Sequence, residues 1–336
     1  MDNSINLVYC SDNICLRPMV TSAISAISNL APGKKLTIHL IYRNIPKETL
    51  ETLKQFFDEK FATQFKFYET PNNLAEIFHN ESCPEKHISN AMFDRLFIHK
   101  LIPEINKAIY LDADIIVEKD LSKLYETNLK NNIIGAVIEP AFEYDVKKYG
   151  YNAIRLMKLD IDTHYFNSGV LLLDLAKLRK TNFIDKCSKY FNKHIKNIIW
   201  PDQDVLNGVL GHKTHFLSPE FNSEVYENNI MANEYQNYFD FYGKSLPYSE
   251  QDIQIATYAP TILHFVGPNK PWIHPGKYYI HKEKYWKYYN MSPWKNKDSM
   301  LVEKKLINTS LQLNHQKITD KPILFQKTFD NYKLKL

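Results

Sequence analysis

Two carboxylates one residue apart follow a short apolar run in the middle of the chain. The run extends from Ala108 to Leu111 and is followed by Asp112 and Asp114. A short apolar run bounded by polar sequence is typical of a buried strand. If the extended backbone continues past Leu111, side chains at i and i+2 share a face, so both carboxylates could bind one hard divalent cation. The alternative is that Asp112 caps a turn and Asp114 is merely solvated.

Polar side chains also stand at the start of a later strand and of a later helix. Asn167 precedes the apolar run 170–173, and turn formation is one explanation for an Asn at that place. Asp202, Gln203 and Asp204 lie at the start of a predicted helix. Capping of the helix N-terminus accounts for one of the carboxylates but not for both together with the Gln.

A histidine and two basic residues complete the set of candidate functional side chains. His264 lies in an apolar strand, and Lys270 lies in the loop that follows, so imidazole and ammonium could reach one cluster of anion and metal. Arg95 lies in a predicted helix that leads into the strand before Asp112, where a guanidinium can bind a carboxylate or a phosphate. Core packing is the alternative for the histidine, and a surface ion pair is the alternative for the arginine.

The elements that must position these residues alternate between strands and helices. Strands are predicted at residues 6–10, 36–42 and 65–68, and the segments between them carry apolar residues at helical spacing. This alternation predicts an α/β fold with an open, mainly parallel sheet that helices cover on both faces. Such sheets bind ligands at the carboxyl ends of their strands, so Asp12 and Asn13 are candidates, with helix capping as the alternative.

Composition excludes several classes of protein. The 336 residues, 44% of them hydrophobic, suffice for one or two domains with a large core. A formal charge of +4 does not indicate nucleic acid as a partner. The four cysteines form no metal-type pair and no signal-peptide pattern opens the chain, which predicts a cytoplasmic protein. No apolar stretch approaches the roughly 20 residues that span a bilayer, and glycine-rich nucleotide-binding motifs are absent from the sequence.

Taken in order, these motifs resemble those of glycosyltransferase family 8, the retaining galactosyl- and glucosyltransferases that build bacterial lipopolysaccharide. The resemblance covers roughly residues 5 to 275. Each motif alone is weakly specific, whereas the whole set in the right order is specific. The residues that carry it are Asp12-Asn13, Arg95, Leu111–Asp114, Phe166–Val170, Asp202–Asn207 and His264–Trp272.

The resemblance implies a GT-A fold, which is Rossmann-like, a UDP-sugar donor and a divalent cation, Mn²⁺ or Mg²⁺. It implies that Asp112, Asp114 and His264 are the metal ligands. It further implies that the uridine is bordered by Tyr9, Cys10, Ser11, Asp12 and Asn13, with the backbone of Ala113 near the ribose. It places Arg95, Asn167, Asp202 and Gln203 around the transferred sugar. It implies that Lys270 and the amide of Gly267 bind the phosphates.

One position departs from the family pattern. Family members often carry an aromatic residue after the Asp-Asn pair, where it can stack on uracil, whereas this chain has Ile14. Base selectivity is therefore expected to rest on Tyr9 or on backbone contacts.

For the reaction, the resemblance puts the amide of Gln203 at the β-face of the sugar. An amide is a poor nucleophile, so we favour front-face substitution, in which the leaving phosphate accepts the proton of the acceptor hydroxyl. A double displacement would instead need a carboxylate, for which Asp202 and Asp204 are the nearby candidates.

The chain is predicted to divide into a glycosyltransferase domain, residues 1–280, and a C-terminal segment, residues 281–336, in which lysines and aromatic residues are interleaved. Such a segment suits the anionic surface of a membrane, so attachment to the inner face of the cytoplasmic membrane is expected. The same composition could suit single-stranded nucleic acid, but nucleic acid is not expected as a partner. Packing of the aromatic residues on the main domain is the alternative.

Two other functions remain open at the level of the sequence: a metal-dependent phosphohydrolase or nucleotidyltransferase, and a sugar-nucleotide-binding protein without transfer activity. The acceptor is expected to be a glycan or a lipid-linked saccharide, with the core of lipopolysaccharide or lipooligosaccharide first. Loops at residues 139–156 and 219–258 are expected to select it. The sequence distinguishes neither galactose from glucose as the transferred sugar nor one oligomeric state from another.

Overall fold

The structure of the protein is a computed structural model with strands arranged in two sheets. It describes residues 4–71, 74, 77–78, 90–139, 164–198, 200–226, 229–230, 247–267, 269–273 and 279–295. The strands are β1 (Ser4–Ser11), β2 (Lys35–Tyr42), β3 (Gln64–Glu69), β4 (Lys107–Leu111), β5 (Ile115–Val117), β6 (Ile134–Ala136), β7 (Val170–Asp174), β8 (Thr214–Phe216), β9 (Ser223–Tyr226), β10 (Asn229–Ile230) and β11 (Ile262–Phe265).

Helices follow most of the strands along the chain. The α-helices are α1 (Leu16–Ser28), α2 (Lys47–Phe61), α3 (Ile98–Leu101), α4 (Ser122–Glu126), α5 (Leu175–Arg179), α6 (Phe183–His194), α7 (Pro201–Leu210), α8 (Glu250–Tyr258) and α9 (Lys282–Tyr289). Short 3₁₀ helices span Asn90–Phe97, Gly211–Lys213 and Pro219–Phe221. The helix predicted around Arg95 is thus, in its described part, a 3₁₀ helix that continues into one α-helical turn.

The larger sheet has the strand order β3-β2-β1-β4-β7-β6-β8 in the described part of the chain. Strands β3, β2, β1 and β4 are parallel, and β7 alone runs against its neighbours β4 and β6. The predicted mainly parallel sheet is therefore confirmed. The chain moves outward from β1 to β3 and then returns to β4 on the other side of β1, so the strand order reverses between β1 and β4.

A second sheet, with the order β10-β9-β11-β5, was not predicted from the sequence. Strand β5 pairs with β11 in it, although β5 follows β4 of the larger sheet after only three residues. Residues 112–114 form the turn that changes sheets, so the extended backbone does not continue past Leu111 as the sequence suggested. The peptide N–H of Asp112 donates to the carbonyl of Gly169 (2.8 Å), and that of Phe265 donates to the carbonyl of Asp114 (2.9 Å).

Hydrophobic periodicity accounts for the way the helices pack on the larger sheet. The buried residues of α2 are Leu50, Leu53 and Phe57, the same three that the sequence places on one face. Helix α1 buries Val20 and Ala23 among others, and it also packs against β5 and α9. The helices thereby hold both sheets in one hydrophobic core.

Part of the predicted C-terminal segment belongs to this core. Tyr285, Tyr288 and Tyr289 of α9 are buried, and α9 packs against α1. The hydroxyl of Tyr288 accepts a hydrogen bond from the Nδ2 of Asn29 (2.7 Å), the C-cap residue of α1. For residues 281–295 the packing alternative therefore holds. Residues 296–336, which carry many of the lysines, lie outside the described residues, and membrane attachment stays a prediction. Among the described helices, none is long and apolar enough to cross a bilayer.

We expect replacement of Tyr288 by Ala to destabilise the protein by about 3–5 kcal/mol, because it removes a buried aromatic ring together with the bond to Asn29. Urea denaturation followed by circular dichroism would measure the change. Tyr258→Ala serves as the control: this tyrosine is 83% exposed, and its loss should cost less than about 0.5 kcal/mol. Equal effects of the two substitutions would contradict the packing of α9.

Candidate active site

The polar side chains meet where β4 ends, where β7 begins and on β11. One ligand atom each from Asp112, Asp114 and His264 lie within 4.8 Å of one another. The Nε2 of His264 is 3.2 Å from the Oδ1 of Asp114. The two aspartates come from the turn between the sheets, whereas His264 comes from the second sheet, which brings residues about 150 positions apart into one cluster.

Asp112 is held by a buried arginine and a buried tyrosine. Its Oδ1 accepts hydrogen bonds from the Nη2 of Arg95 (2.8 Å) and from the hydroxyl of Tyr110 (2.6 Å). The guanidinium of Arg95 lies over the ring of Tyr110, at 4.7 Å from the ring centroid. Its Nη1 contacts the Oδ2 of Asp202 at 3.0 Å. One buried cation thus separates two carboxylates that would otherwise repel each other.

A second ion pair positions the helix that carries Arg95. The adjacent Asp94 is fully buried and accepts bonds from the Nε of Arg43 at 2.9 and 2.7 Å. Thr70 donates to the same carboxylate at 3.0 Å. The peptide N–H of Arg43 also donates to the carbonyl of Ser11 at the end of β1 (3.1 Å). The pair therefore ties the 3₁₀ helix to the carboxyl edge of the sheet.

Asp114 is paired with a lysine and a histidine. The Nζ of Lys270 is 2.6 Å from its Oδ2, and His264 contacts its Oδ1. Burial alone would raise the pKa of Asp114, but the charge of Lys270 and the contact with His264 outweigh that effect and hold the pKa well below its ordinary value. The carboxylate stays ionised and available to a cation at any pH near neutrality.

Gly169 brings β7 close to the cluster because it has no side chain. A Cβ at this position would lie 2.3 Å from the Cε1 of His264 and 3.0 Å from the Oδ2 of Asp112. Real Cβ atoms are not found at the shorter distance, so a side chain here would displace the imidazole. The predicted Phe166–Val170 motif therefore contributes space as well as a polar side chain.

We expect Gly169→Ala to weaken the binding of Mn²⁺ by about 10- to 100-fold, as displaced ligand supports do in metal sites. Titration of free Mn²⁺ by electron paramagnetic resonance would measure it. Gly135→Ala is the matched control, because the atoms nearest to a Cβ there belong to the side chains of Leu129 and Leu217, away from the cluster. Unchanged Mn²⁺ affinity in Gly169→Ala would contradict the assigned crowding.

Helix α7 presents the three polar residues predicted at its start. The Oε1 of Gln203 accepts the peptide N–H of Ser168 (2.9 Å), and the Oδ2 of Asp202 accepts the hydroxyl of Ser168 (3.1 Å). Burial raises the pKa of Asp202 despite the nearby Arg95. Asp204 is fully buried and accepts bonds from the hydroxyl of Tyr165 (2.6 Å) and from the peptide N–H of Trp200 (3.1 Å), the N-cap residue of the helix. These bonds favour a structural role for Asp204.

The segment after β1 lies at the switch point between β1 and β4. Tyr9 is fully buried and its hydroxyl is 3.0 Å from the Oγ of Ser22, so its ring is not available to stack on a base. Of the two expected sources of base selectivity, the ring of Tyr9 is therefore excluded because it faces the core, and backbone contacts stay a prediction. Ile14 is 72% exposed. Asp12 accepts the peptide N–H groups of Ile14 (2.9 Å) and Cys15 (3.0 Å), which closes the turn before α1; the N-cap residue of that helix is Cys15, and no side chain caps it.

The other residues predicted to border the donor differ in their exposure. Cys10 and Ser11 are buried, and Asn13 is exposed. Ala113 is partly buried at the middle of the turn, against the core of the larger sheet.

The loop after β11 needs a glycine for two reasons. Gly267 has φ +81°, and a Cβ there would lie 2.2 Å from the Cε2 of Tyr226. This turn directs the loop so that Lys270 returns to Asp114. An amide in a left-handed turn beside an ammonium is suited to an anion.

Comparison with known proteins identifies the family. The profile of Glycosyl transferase family 8 matches residues 6–275, more than three quarters of the chain. The chain belongs to glycosyltransferase family 8. General stress protein A of Bacillus subtilis is 27% identical over 299 residues, 87% of this chain and 96% of that protein. Lipopolysaccharide 1,2-glucosyltransferase of Escherichia coli K12 is 30% identical over 239 residues, 68% of this chain and 62% of that protein.

Solved structures share the fold of this glycosyltransferase. The crystal structure of galactosyltransferase LgtC in complex with donor and acceptor sugar analogues superposes with a TM-score of 0.70 at 22% identity, covering 88% of this chain and all of that one. The bifunctional glycosyltransferase WbbM also superposes with a TM-score of 0.70, at 21% identity. The GT-A fold expected from the sequence is thereby confirmed.

Several polar residues beside the family motifs were missed in the sequence. Asn222 contacts His264 (Nδ1 to Oδ1, 3.0 Å), and it donates to the Oδ1 of Asn167 (2.9 Å). Asn167 in turn donates to the Oε2 of Glu139 (2.8 Å). Glu224 is 3% exposed on β9, opposite His264 in the parallel register. The sequence shows an amide and a carboxylate close together, at Asn222 and Glu224. Nothing in the neighbouring residues distinguishes them from solvated side chains.

The carboxyl group of Glu224 is unlike the others of the site. Burial raises its pKa well above the ordinary value, and the hydrogen bond with Glu139 and the charge of that neighbour act in the same direction. Because the folded-state pKa is raised, the folded protein binds more protons than the unfolded chain above the unfolded pKa of about 4.3. The contribution of Glu224 to stability is therefore full below that pH and is lost as the pH rises towards the folded-state pKa.

We expect Glu224→Gln to be as stable as the wild type near pH 4 and more stable than the wild type at higher pH. The reason is that the amide is uncharged at every pH, whereas the buried carboxyl group must stay protonated in the folded protein. Chemical denaturation at a series of pH values from 4 to 9 would measure the difference. A difference that is independent of pH would contradict the raised pKa of Glu224.

Proposed function

We propose that this glycosyltransferase moves a hexose from a UDP-sugar to a saccharide acceptor with retention of the anomeric configuration, and that it uses Mn²⁺ or Mg²⁺. The observation that carries the proposal is the convergence of Asp112, Asp114 and His264 beside Lys270. The cluster lies at the edge where the strand order reverses, the place at which such sheets bind nucleotides.

The donor set of the cluster fits a divalent transition metal. Two carboxylates and one imidazole suit manganese better than calcium, because imidazole is a poor calcium ligand. Asp112, Asp114 and His264 would hold the ion. A bound cation would stabilise the negative charge that develops on the diphosphate when the sugar leaves.

The remaining basic groups of the site orient the ligands and the donor. The ammonium of Lys270 lies 2.6 Å from Asp114. It is therefore beside the proposed cation site, where it could also bind an oxygen of the donor diphosphate. The amide of Gly267, at the turn before it, supplies a donor for a phosphate oxygen. Arg95 keeps Asp112 and Asp202 in place, and Asn167, Asp202 and Gln203 are proposed to bind the hydroxyls of the transferred sugar.

The arrangement of α7 supports front-face substitution. Gln203 is anchored through its Oε1 by the peptide of Ser168, which fixes the amide near the sugar site. Asp204 is occupied by two hydrogen bonds in the core. Asp202, the other candidate nucleophile, is bound by Arg95 and by the hydroxyl of Ser168. In this proposal neither carboxylate attacks the sugar, and an oxygen of the leaving diphosphate accepts the proton of the acceptor hydroxyl.

The names of the relatives support the substrate class. One relative is a lipopolysaccharide glucosyltransferase, and one structural neighbour is a galactosyltransferase bound to donor and acceptor sugar analogues. We therefore propose UDP-glucose or UDP-galactose as the donor and a lipopolysaccharide-type glycan, free or lipid-linked, as the acceptor. Work on such an acceptor would place the protein at the cytoplasmic face of the membrane.

The proposal is tested with purified protein, Mn²⁺ and a panel of UDP-sugars, with and without oligosaccharide acceptors. We expect UDP release that increases with the acceptor, and a glycoside whose anomeric configuration matches that of the donor by NMR. Asp112→Asn and Asp114→Asn should each lower the rate about 100-fold or more, since each removes charge that stabilises the leaving group. Asp185→Asn, at an exposed position of α6, is the matched control.

Three outcomes would contradict the proposal. Formation of a hexose phosphate or of inorganic phosphate in place of a glycoside would indicate a phosphohydrolase or nucleotidyltransferase. Binding of UDP-sugars without turnover on any acceptor would indicate a binding protein. A glycosyl adduct on Asp204, detected by mass spectrometry, would replace front-face substitution by double displacement.

A further inference from the structure

A continuous row of hydrogen bonds links His264 to two buried carboxyl groups behind it. The Nδ1 of His264 lies 3.0 Å from the Oδ1 of Asn222, whose Nδ2 donates to the Oδ1 of Asn167 at 2.9 Å. The Nδ2 of Asn167 donates to the Oε2 of Glu139 at 2.8 Å. The carboxyl group of Glu139 shares a further hydrogen bond with that of Glu224. All five residues are less than 9% exposed.

Two contacts of Asn167 determine the direction of the hydrogen bonds between it, Asn222 and His264. The carboxylate of Glu139 offers oxygens to Asn167, so the NH₂ group of that amide must point to it. The peptide N–H of Gly169 donates to the other end of the same amide, its Oδ1, at 2.8 Å. Both contacts require the same orientation of the Asn167 amide. Its oxygen then accepts a hydrogen bond from the NH₂ group of Asn222.

The consequence appears at the imidazole. Since the NH₂ group of Asn222 is used by Asn167, its oxygen faces His264, and an amide oxygen can only accept. The Nδ1 of His264 must therefore carry the proton. The other ring nitrogen, Nε2, is the one that lies beside Asp114, where the cluster of ligand atoms meets.

Glu224 closes the far end of the row. Two carboxyl groups joined by a hydrogen bond must hold one proton between them, because two ionised groups would repel and have nothing to share. Glu224 is the more buried of the two, at 3% exposed against 8% for Glu139. A neutral Glu224 donates to Glu139 and keeps that carboxylate turned towards Asn167.

We propose that Glu224 and Asn222 are positioning residues of the metal site: through Glu139 and Asn167 they hold the proton on Nδ1 of His264 and direct Nε2 to the cation. The inference rests on the metal site of the proposed function. Hydrogen-bond partners of metal-ligating histidines fix the tautomer and the ring orientation, and their loss lowers metal affinity by about 10- to 100-fold. Neither residue belongs to the motifs that carry the family resemblance.

The first experiment observes the histidine without relying on metal. Protein labelled with ¹⁵N-histidine is compared by long-range ¹H–¹⁵N NMR in the metal-free and the Zn²⁺-loaded forms, with His264→Gln to assign the signals. We expect a proton on Nδ1 of His264 in both forms, and coordination through Nε2 in the loaded one. Absence of the Nδ1 proton from the metal-free protein, or coordination through Nδ1, would overturn the inference.

The second experiment measures Mn²⁺ affinity in matched variants. Glu224→Gln keeps a donor for Glu139 and should bind Mn²⁺ like the wild type, whereas Glu224→Met, of similar shape but without a donor, should bind it about 10-fold more weakly. Asn222→Leu should lose about 10- to 100-fold for the same reason. Equal affinities in Glu224→Met and the wild type, or equal losses in the Gln and Met variants, would overturn the inference.

Asn29→Leu separates positioning from general stability. Asn29 makes hydrogen bonds to Ser25, Val117 and Tyr288 at the end of α1, outside the cluster. Its replacement should lower the melting temperature without changing Mn²⁺ affinity.

If the wild type binds no Mn²⁺ but retains the Nδ1 proton, the metal role in the proposed function fails while the orientation of His264 stands. Binding of Mn²⁺ with Nδ1 unprotonated would contradict this inference alone.

Discussion

The turn at residues 112–114 is the constraint on which the site depends. It carries the chain from β4 in one sheet to β5 in the other, so its two carboxylates face side chains from both. Ionised carboxylates so close together repel, and partial burial strengthens the repulsion. Arg95 compensates on the side of Asp112, and Lys270 on the side of Asp114. Each charge is partnered, yet one ligand atom of each aspartate still lies within 4.8 Å of the other and of a ring nitrogen of His264, which is the arrangement a cation requires.

The second sheet explains why so many polar residues are buried behind this turn. Strands β9 and β11 are parallel neighbours that carry Glu224 and His264 at the same level, and the segment before β9 supplies Asn222. Buried polar groups destabilise a core unless each has a partner. Here the partners form a directed row that ends at a metal-ligand candidate. A core with apolar residues at these positions would be simpler to pack but would leave the imidazole free to rotate.

The larger sheet and the helices on it were predictable from the sequence, whereas the second sheet was not. Strands of five to eight residues such as β1, β2 and β4 have an apolar pattern of their own, and Leu50, Leu53 and Phe57 show the helical period of α2. Strands β5 and β11 have three and four residues, and only tertiary pairing decides which sheet they join. The same limit applies to Glu224, since its burial follows from that pairing, and to Tyr9, whose ring turns into the core although its backbone borders the site.

The choice between the two mechanisms of retention depends on the hydrogen bonds that a buried carboxylate would lose in order to react. Asp204 is fully buried and accepts hydrogen bonds from the hydroxyl of Tyr165 and the peptide of Trp200. To attack a sugar it would have to leave both partners unpaired in the core, and each buried unpaired group costs about 1–3 kcal/mol. Gln203 is already held beside Ser168 and gives up nothing. Front-face substitution needs no such rearrangement, because the departing oxygen takes the proton and the amide stays where it is anchored.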